Sequence, residues 1–332
     1  GDVYKRQLVE RFLALLGAHR NSDKLRFVFG CRVDDLVADN GRIAGCRGVI
    51  EATGEECEFA GEQTLVAPGG LNGNLQKVRD HWDWGDAPDD LLTGSHPYCD
   101  GAMHDVVDNT GGVVTHLEYM WNYAAGVPHP FPKFAGHGLS LIPCKSALWL
   151  DHSGQRIGPE PLVTGFDTHD MCGRLSAMEK SWSWQVLNWR IAAKEFAISG
   201  SEHNPHIRDG RTVSFLKETL FGNHRLVRQM QKESDHFIVA DTLPELVEQM
   251  NALNGDDLVQ LDHVTAAVQG FDENIRRGPA LWNDDQIRRI VHARAWRSDR
   301  IRTCKPEPLL EHGPLIAIKL RLITRKSLGG IQ

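Results

Sequence analysis

The sequence predicts a mixed α/β fold, on three observations. Residues 64–79 (TLVAPGGLNGNLQKVR) join a short apolar run to a Pro-Gly-Gly turn and then to a helical pattern from about Asn74. Upstream, residues 25–60 carry alternating, β-branched stretches broken by Asn40-Gly41, a hairpin turn signal. Downstream, between residues 184 and 297, apolar residues recur at helical spacing among charged ones.

In chain order, residues 8–19 read as an amphipathic helix, with apolar positions at 8, 12, 13, 15 and 16. Residues 25–37, 42–50 and 52–60 read as strands of a meander, and 64–67 as the strand that closes the set. Asn72 or Asn74 suits the N-cap of the helix that follows. Asp100 suits the cap of a helix carrying Met103, Val106 and Val107 on one face and stopped by Gly111-Gly112. Residues 115–123 read as a strand entering a loop rich in Pro and Gly (AAGVPHPFPKFAGHG), and 146–157 as strand, turn and strand. Residues 184–198, 215–220, 225–231, 242–253, 264–277 and 284–297 read as helices. Thr242 is placed to cap its helix, with Pro244 in the first turn and Glu245 three residues on. Residues 316–322 alternate as a strand.

A chain of 332 residues is long enough for one large or two ordinary domains. Its net charge of −7 argues against non-specific binding of nucleic acid. No apolar run reaches the ~20 residues that span a bilayer. The seven cysteines are scattered, with no C-x-x-C pair, and the histidines form neither H-E-x-x-H nor H-x-H, so no metal site is expected. Such cysteine usage suits a reducing compartment, and the expected location is cytoplasmic. Arg288, Arg289, Arg294, Arg297, Arg300 and Arg302 form a local basic cluster that reads as a solvated helix face or as a site for an anionic group.

On chemistry alone, residues 64–79 are a tight turn or a phosphate-approaching backbone, since glycine permits positive φ and close approach. The segment TLVAPGGLNGN resembles the Ala-Thr-Gly-Gly-x-x-x-Asn segment of FAD-dependent dehydrogenases, the superfamily of the fumarate reductase and succinate dehydrogenase flavoproteins and the 3-ketosteroid dehydrogenases. Pro68 departs from the usual Thr or Ser. Three further stretches follow in the family's order. Residues 99–104 (CDGAMH) are similar to its Gly-Asp-Gly helix start, with Cys99 for the first Gly. Residues 146–157 (SALWLDHSGQRI) resemble the hairpin that opens its capping domain, and 324–330 (TRKSLGG) its return segment. The sequence has no G-x-G-x-x-G and residues 1–7 do not resemble the family, so the chain resembles an internal part of such a flavoprotein.

The resemblance implies an incomplete FAD-binding Rossmann-like domain with an inserted α+β capping domain. The expected bounds are residues 1–124 for a partial FAD-binding domain, 125–312 for a mostly helical capping domain, and 313–332 for the return strand. It implies FAD as cofactor, held by Val33, Ala67, Gly69, Gly70, Asn74 and Asp100. It implies hydride transfer between a substrate carbon–carbon bond and the flavin, with Tyr123, His169 and Arg325 as candidate catalytic residues. Tyr119, Trp121, Asn122 and Lys326 are then the candidate substrate contacts. Fumarate reductases carry Phe-His-Pro-Thr where this chain has Met-Trp-Asn-Tyr (120–123), which favours a bulkier, less charged small molecule over a dicarboxylate. The electron partner is unassigned.

Each of these residues also has a plainer reading: Val33 as core, Asp100 as a cap, Trp121 and the tyrosines as packing, His169 as a loop histidine, Arg325 and Lys326 as exposed strand-end charges. Two alternatives for the whole chain stay open, a fragment that binds no flavin and an interaction module. An NAD-dependent Rossmann enzyme predicts a G-x-G-x-x-G that the sequence lacks.

Overall fold

A computed structural model describes residues 2–158 and 167–332, with side chains described from residue 7 onward. The chain forms two compact units, neither of them a single stretch of sequence. The first comprises Gly1–Asp83, Ser95–Trp121 and Arg325–Gln332; the second comprises Trp84–Gly94 and Asn122–Thr324.

In the first unit, helix α1 (Asp2–Gly17) precedes a three-stranded antiparallel meander of β1 (Cys31–Asp39), β2 (Arg42–Ile50) and β3 (Glu56–Ala60), in that order. Asn40 (φ 47°) and Gly41 (φ 78°) make the β1–β2 turn that the Asn-Gly pair signals. The β1–β2 register shifts between Val33 and Asp35, a bulge that bends β1. The middle strand is squeezed: a Cβ on Gly48 would lie 2.2 Å from the Arg32 carbonyl oxygen, and one on Gly45 2.1 Å from that of Phe59. The remaining elements are α2 (Leu75–Asp80), α3 (Ala102–Asn109), and an antiparallel pairing of Val114–Thr115 with Gly330–Ile331. Asn74 caps α2 as expected, its Oδ1 accepting the N–H groups of Gln76 and Lys77.

Two expectations change in this unit. The first strand starts at Cys31 and not at 25. Residues 64–67 join no ladder; Leu65 is 93% exposed and no strand among the described residues pairs with the segment. An apolar run makes a strand only where a neighbour completes its hydrogen bonds.

The second unit is built on a sheet whose axis is the long strand Leu315–Ser327, ten residues of which lie in this unit. Ser183–Asn188 pairs antiparallel along its first half, as does Phe237–Ala240 on the other side, and Leu92–Thr93 runs parallel to it at Ile323 and Thr324. Leu148–Leu150 lies beyond Ser183–Asn188, and Gly138–Ile142 pairs with Met120–Pro128. Every residue from Leu315 to Leu320 is buried, so the strand is the core of the unit and reads as a near-continuous apolar run. Helices pack around it, Leu243–Asn254 and Leu261–Arg276 among them. Thr242 Oγ1 accepts the Glu245 N–H and Glu245 Oε2 accepts the Asp241 N–H, a reciprocal cap close to the one anticipated.

Sequence periodicity misreads four places here. Residues 184–188 belong to a strand, with helix only over Trp189–Glu195, because Ser183–Asn188 is buried on both faces and its apolar run carries no period. The supposed Pro/Gly loop after residue 123 is largely the hairpin Met120–Pro128 and Gly138–Ile142, with Pro128 at the strand end where no ladder N–H is needed. The second arm of 146–157 keeps only a single bridge, Arg156 to Leu150. The expected helix 284–297 is two, Asp285–Ala293 and Arg297–Arg302, with Arg294 donating to the carbonyls of Arg300 and Thr303 at the break. Residues 159–165, read as a lead-in to FDTHD, fall outside the described residues.

Asp272 ties this core together. It is fully buried and its carboxylate accepts the backbone N–H groups of Leu309 at 2.6 Å and Leu310 at 3.1 Å. Asp272→Ala leaves both donors without a partner and is expected to destabilise the protein by about 2–4 kcal/mol, read from urea unfolding. A loss below about 0.5 kcal/mol would contradict that role.

Candidate functional site

The site lies within the first unit and begins with glycine. The turn after the 64–67 segment uses Gly69 at φ 89°, a conformation open to glycine at no steric cost. Gly73 lies so close beneath the 96–99 loop that an added Cβ would be 2.3 Å from the His96 carbonyl oxygen, and its N–H donates to the Cys99 carbonyl at 2.8 Å. Gly101, at φ 72°, is the N-cap residue of α3. Asp100 therefore sits one place before the cap, a shift from the expected position. Its Oδ1 still accepts the Ala102 N–H at 2.9 Å, so a carboxylate stands at the positive end of α3. Lys77 donates to the Gly101 carbonyl at 2.8 Å and pairs with Asp105, which locks α2 onto the start of α3.

The returning segment completes the arrangement. Ser327 Oγ accepts the Leu71 N–H at 2.9 Å and donates to Asn72 Oδ1 at 2.7 Å. Gly70 leaves the room this needs, since a Cβ there would stand 2.5 Å from Ser327 Oγ. Leu328 N–H donates to the Tyr119 carbonyl at 2.8 Å, and Gly330 pairs with Thr115.

Two cavities result. The larger, about 690 Å³, lies among β1, the 64–70 segment and the beginning of α3, and is lined by Val33, Ala67, Gly70 and Asp100 together. The smaller, about 340 Å³, is lined by Ala67 and Gly69 with Leu328, Gly329, Gly330 and Ile331. Val66, Ala67, Pro68 and His104 line both, so one strip of backbone and one imidazole separate the two spaces. Burial, and Lys77 secondarily, lowers the His104 pKa below its usual value, which keeps that imidazole neutral at neutral pH. Sizes of this order are those of small-molecule and cofactor sites.

Of the anticipated cofactor residues, five line these cavities. Asn74 does not, and serves as the cap of α2. Tyr119 is exposed and stacks on His116 at 4.8 Å between centroids. Trp121 is also exposed, with Lys326 Nζ 5.9 Å from its ring centroid. Arg325 is half-buried in the first unit. Asn122 and Tyr123 belong to the second unit, on the strand Met120–Pro128; Asn122 is buried with its Oδ1 unpaired among the described residues. His169 lies in that unit on the exposed first turn of Thr168–Ser176, its ring 4.7 Å from that of Trp84. Sequence reasoning did not single out His104 or Tyr98, and it quoted Gly329-Gly330 only as part of the return segment, not as cofactor residues. The paired glycines were the available signal, whereas a histidine on a helix face carries none. No group of three or more His, Cys, Asp or Glu among the described residues is placed to hold a metal ion, and no described helix is long and apolar enough to cross a membrane.

Residues 3–332 match the family described as FAD binding domain. Among curated proteins, the chain is 34% identical over 331 residues to a KsdD-like steroid dehydrogenase of Mycolicibacterium smegmatis, covering 94% of this chain and 60% of that protein. It is likewise 34% identical over 352 residues to a KsdD-like steroid dehydrogenase of Mycobacterium tuberculosis, covering all of this chain and 59% of the relative. The chain thus spans about three fifths of the length of the curated relatives it matches. In fold it is similar to the 3-ketosteroid Δ1-dehydrogenase of Sterolibacterium denitrificans, solved with 1,4-androstadiene-3,17-dione, at TM-score 0.58 and 12% identity over 93% of this chain and 50% of that one. A flavocytochrome c3 fumarate reductase in its open conformation gives TM-score 0.54 and 12% identity over 90% of this chain and 41% of the other.

Proposed function

Because the chain belongs to the FAD binding domain family, we propose that it is the larger part of an FAD-dependent dehydrogenase that oxidises or reduces a carbon–carbon bond in a bulky, ketosteroid-like ketone or enone. The observation that carries this reading is the two-lobed cavity of the first unit, where Val33, Ala67, Gly70 and Asp100 meet. The residues fit a cofactor with two aromatic ends. The larger lobe offers the bent β1 backbone at Val33 for an adenine and the Asp100 carboxylate for ribose hydroxyls. The smaller lobe is walled by the backbone of Gly69, Gly329 and Gly330, and a Cβ at Gly330 would approach His104 Nε2 to 3.1 Å, so a side chain there would close it.

When bound, FAD supplies the hydride chemistry. The protein's own residues bind, orient and handle protons. Neutral His104 separates the lobes without adding a charge. Lys326 over Trp121 and the exposed Tyr119 present a mixed cationic and aromatic surface suited to a flat apolar substrate with a polar end. Tyr123, His169 and Arg325 are the proposed proton handlers, with Asn122, its amide oxygen unpaired, as a polar substrate contact. The names of the relatives support the steroid-like class, and the aromatic stretch 119–123 supports it independently.

The test is the absorbance of purified protein incubated with FAD and desalted. Retained flavin bands are expected, followed by turnover of bulky enones or ketones with an artificial electron acceptor. A colourless protein overturns the proposal for this chain. Asp100→Ala is expected to weaken FAD binding about tenfold, the loss of roughly one charged hydrogen bond, as read by flavin fluorescence titration.

A further inference from the structure

The meander that walls the larger cavity carries three of the seven cysteines, on one face. Cys31 is at the start of β1, Cys46 on β2 and Cys57 on β3. Strands β1 and β3 are not neighbours, and two cysteines on them are normally held apart by the side chain of the middle strand. Here the middle strand presents Gly48 at that point. Cys57 is the direct partner of Gly48, and Cys31 pairs with Ile50, one step along the same face. The flanking strands close over the missing side chain, and the sulfurs of Cys31 and Cys57 stand 2.8 Å apart. A disulfide needs about 2.05 Å, so the remaining travel is under an ångström. Both residues are half-buried and so open to a small oxidant.

We propose that Cys31 and Cys57 form a reversible disulfide, made by a hydroperoxide, that latches β1 to β3 across Gly48 and fixes the wall of the cofactor cavity. The hydrogen bond with Cys31, with burial next, pushes the Cys57 pKa up to about 11, so Cys57 keeps its proton and serves as the resolving thiol, and Cys31 is the attacking sulfur. Cys31 attacks a peroxide oxygen, the O–O bond breaks, and the other oxygen leaves as water with a proton from solvent. The sulfur of Cys57 then attacks the Cys31 sulfenic acid, the S–O bond breaks, and the hydroxyl leaves as a second water with the Cys57 proton. Two thiols lose two electrons in all and one hydrogen peroxide is reduced to two waters. Cys46 lines the same cavity, but burial raises its pKa and its sulfur makes no such sulfur contact among the described residues.

The experiment uses the full chain, with and without FAD, treated with excess hydrogen peroxide, alkylated and digested without reductant. The expected result is a Cys31–Cys57 linked peptide that dithiothreitol removes, together with slower amide exchange over residues 45–60 in the oxidised form. In Cys57→Ser the link is lost and dimedone labels Cys31. Absence of the linked peptide in a folded wild-type protein, or linkage through Cys46 instead, overturns the proposal. Neither readout requires flavin to bind, so this outcome is separable from that of the FAD test.

Discussion

Replacing Gly329 by alanine is expected to weaken FAD binding about a hundredfold, equivalent to about 2.7 kcal/mol. The reason is steric and falls on backbone. A Cβ at residue 329 would lie 1.8 Å from the His116 carbonyl oxygen and 2.7 Å from that of Thr115. No side-chain rotation relieves such an overlap, and His116 has little freedom to yield. It already sits at φ 56°, and its carbonyl accepts the Tyr119 N–H at 3.0 Å. The substitution forces the 328–331 segment away from Val114 and Thr115, and with it the wall of the smaller cavity. Overpacking of this kind costs about 1–3 kcal/mol or more where backbone must shift. Flavin fluorescence titration measures the effect, with Val113→Ala as the control, since Val113 is exposed and lines neither cavity. A dissociation constant within about threefold of the parent would remove the returning segment from the cofactor site.

The second large effect lies in the other unit. Glu195 ends the helix Trp189–Glu195, and its carboxylate takes three donors: Ser146 Oγ at 2.6 Å, Ser146 N–H at 3.0 Å and Cys304 N–H at 2.7 Å. Glu195→Ala is expected to cost about 3–5 kcal/mol, because it strands two backbone donors and a hydroxyl. In a unit of this size that corresponds to a fall of about 10 °C in thermal midpoint. Burial raises the Glu195 pKa above the ordinary carboxylate value, while the three hydrogen bonds pull it down less strongly. A carboxyl group with a raised folded pKa binds more protons folded than unfolded. Its contribution is therefore greatest below the unfolded value and is lost as pH rises through the folded one. Glu195→Gln, which cannot ionise, is expected to flatten that decline above about pH 4.5. Thermal melts followed by circular dichroism across this range decide it: an Ala variant as stable as the parent would show the three contacts to be incidental.

How much of this was legible in the sequence depends on what each residue's role requires. Asn74 and Thr242 were readable as caps because capping is local, a side chain answering an N–H two or three residues on. The glycines at 69 and 70 were readable for a related reason, since a positive φ or a missing Cβ leaves a mark at the position itself, whereas the cap of α3 was read at Asp100 and falls on Gly101. The strand Ser183–Asn188 was not, because burial on both faces erases the alternation that marks a strand, and one of its two neighbours lies more than a hundred residues away at 315–320. Residues 64–67 failed in the opposite sense: the composition of a strand was present and the partner was not. The larger cavity was half legible. Val33, Ala67, Gly70 and Asp100 came from a resemblance in motif, whereas His104 owes its place to the approach of residues 328–331, which no local pattern records.

The hydroxyl of Ser327 bonds to the backbone of Leu71 and the side chain of Asn72 across 256 and 255 positions of sequence. During synthesis this fixes an order of assembly. The 69–74 turn leaves the ribosome early and can close on the 96–99 loop through Gly73, but its bonds to Ser327 wait until residue 327 has also emerged, by which time the 203 residues of Asn122–Thr324 are already out. Domains tend to fold as units during translation, and contacts of high sequence separation form last. The second unit of the nascent protein can therefore complete its fold before the first, and a ribosome stalled shortly before residue 327 would display a first unit whose 69–74 turn is not yet tied to the returning segment.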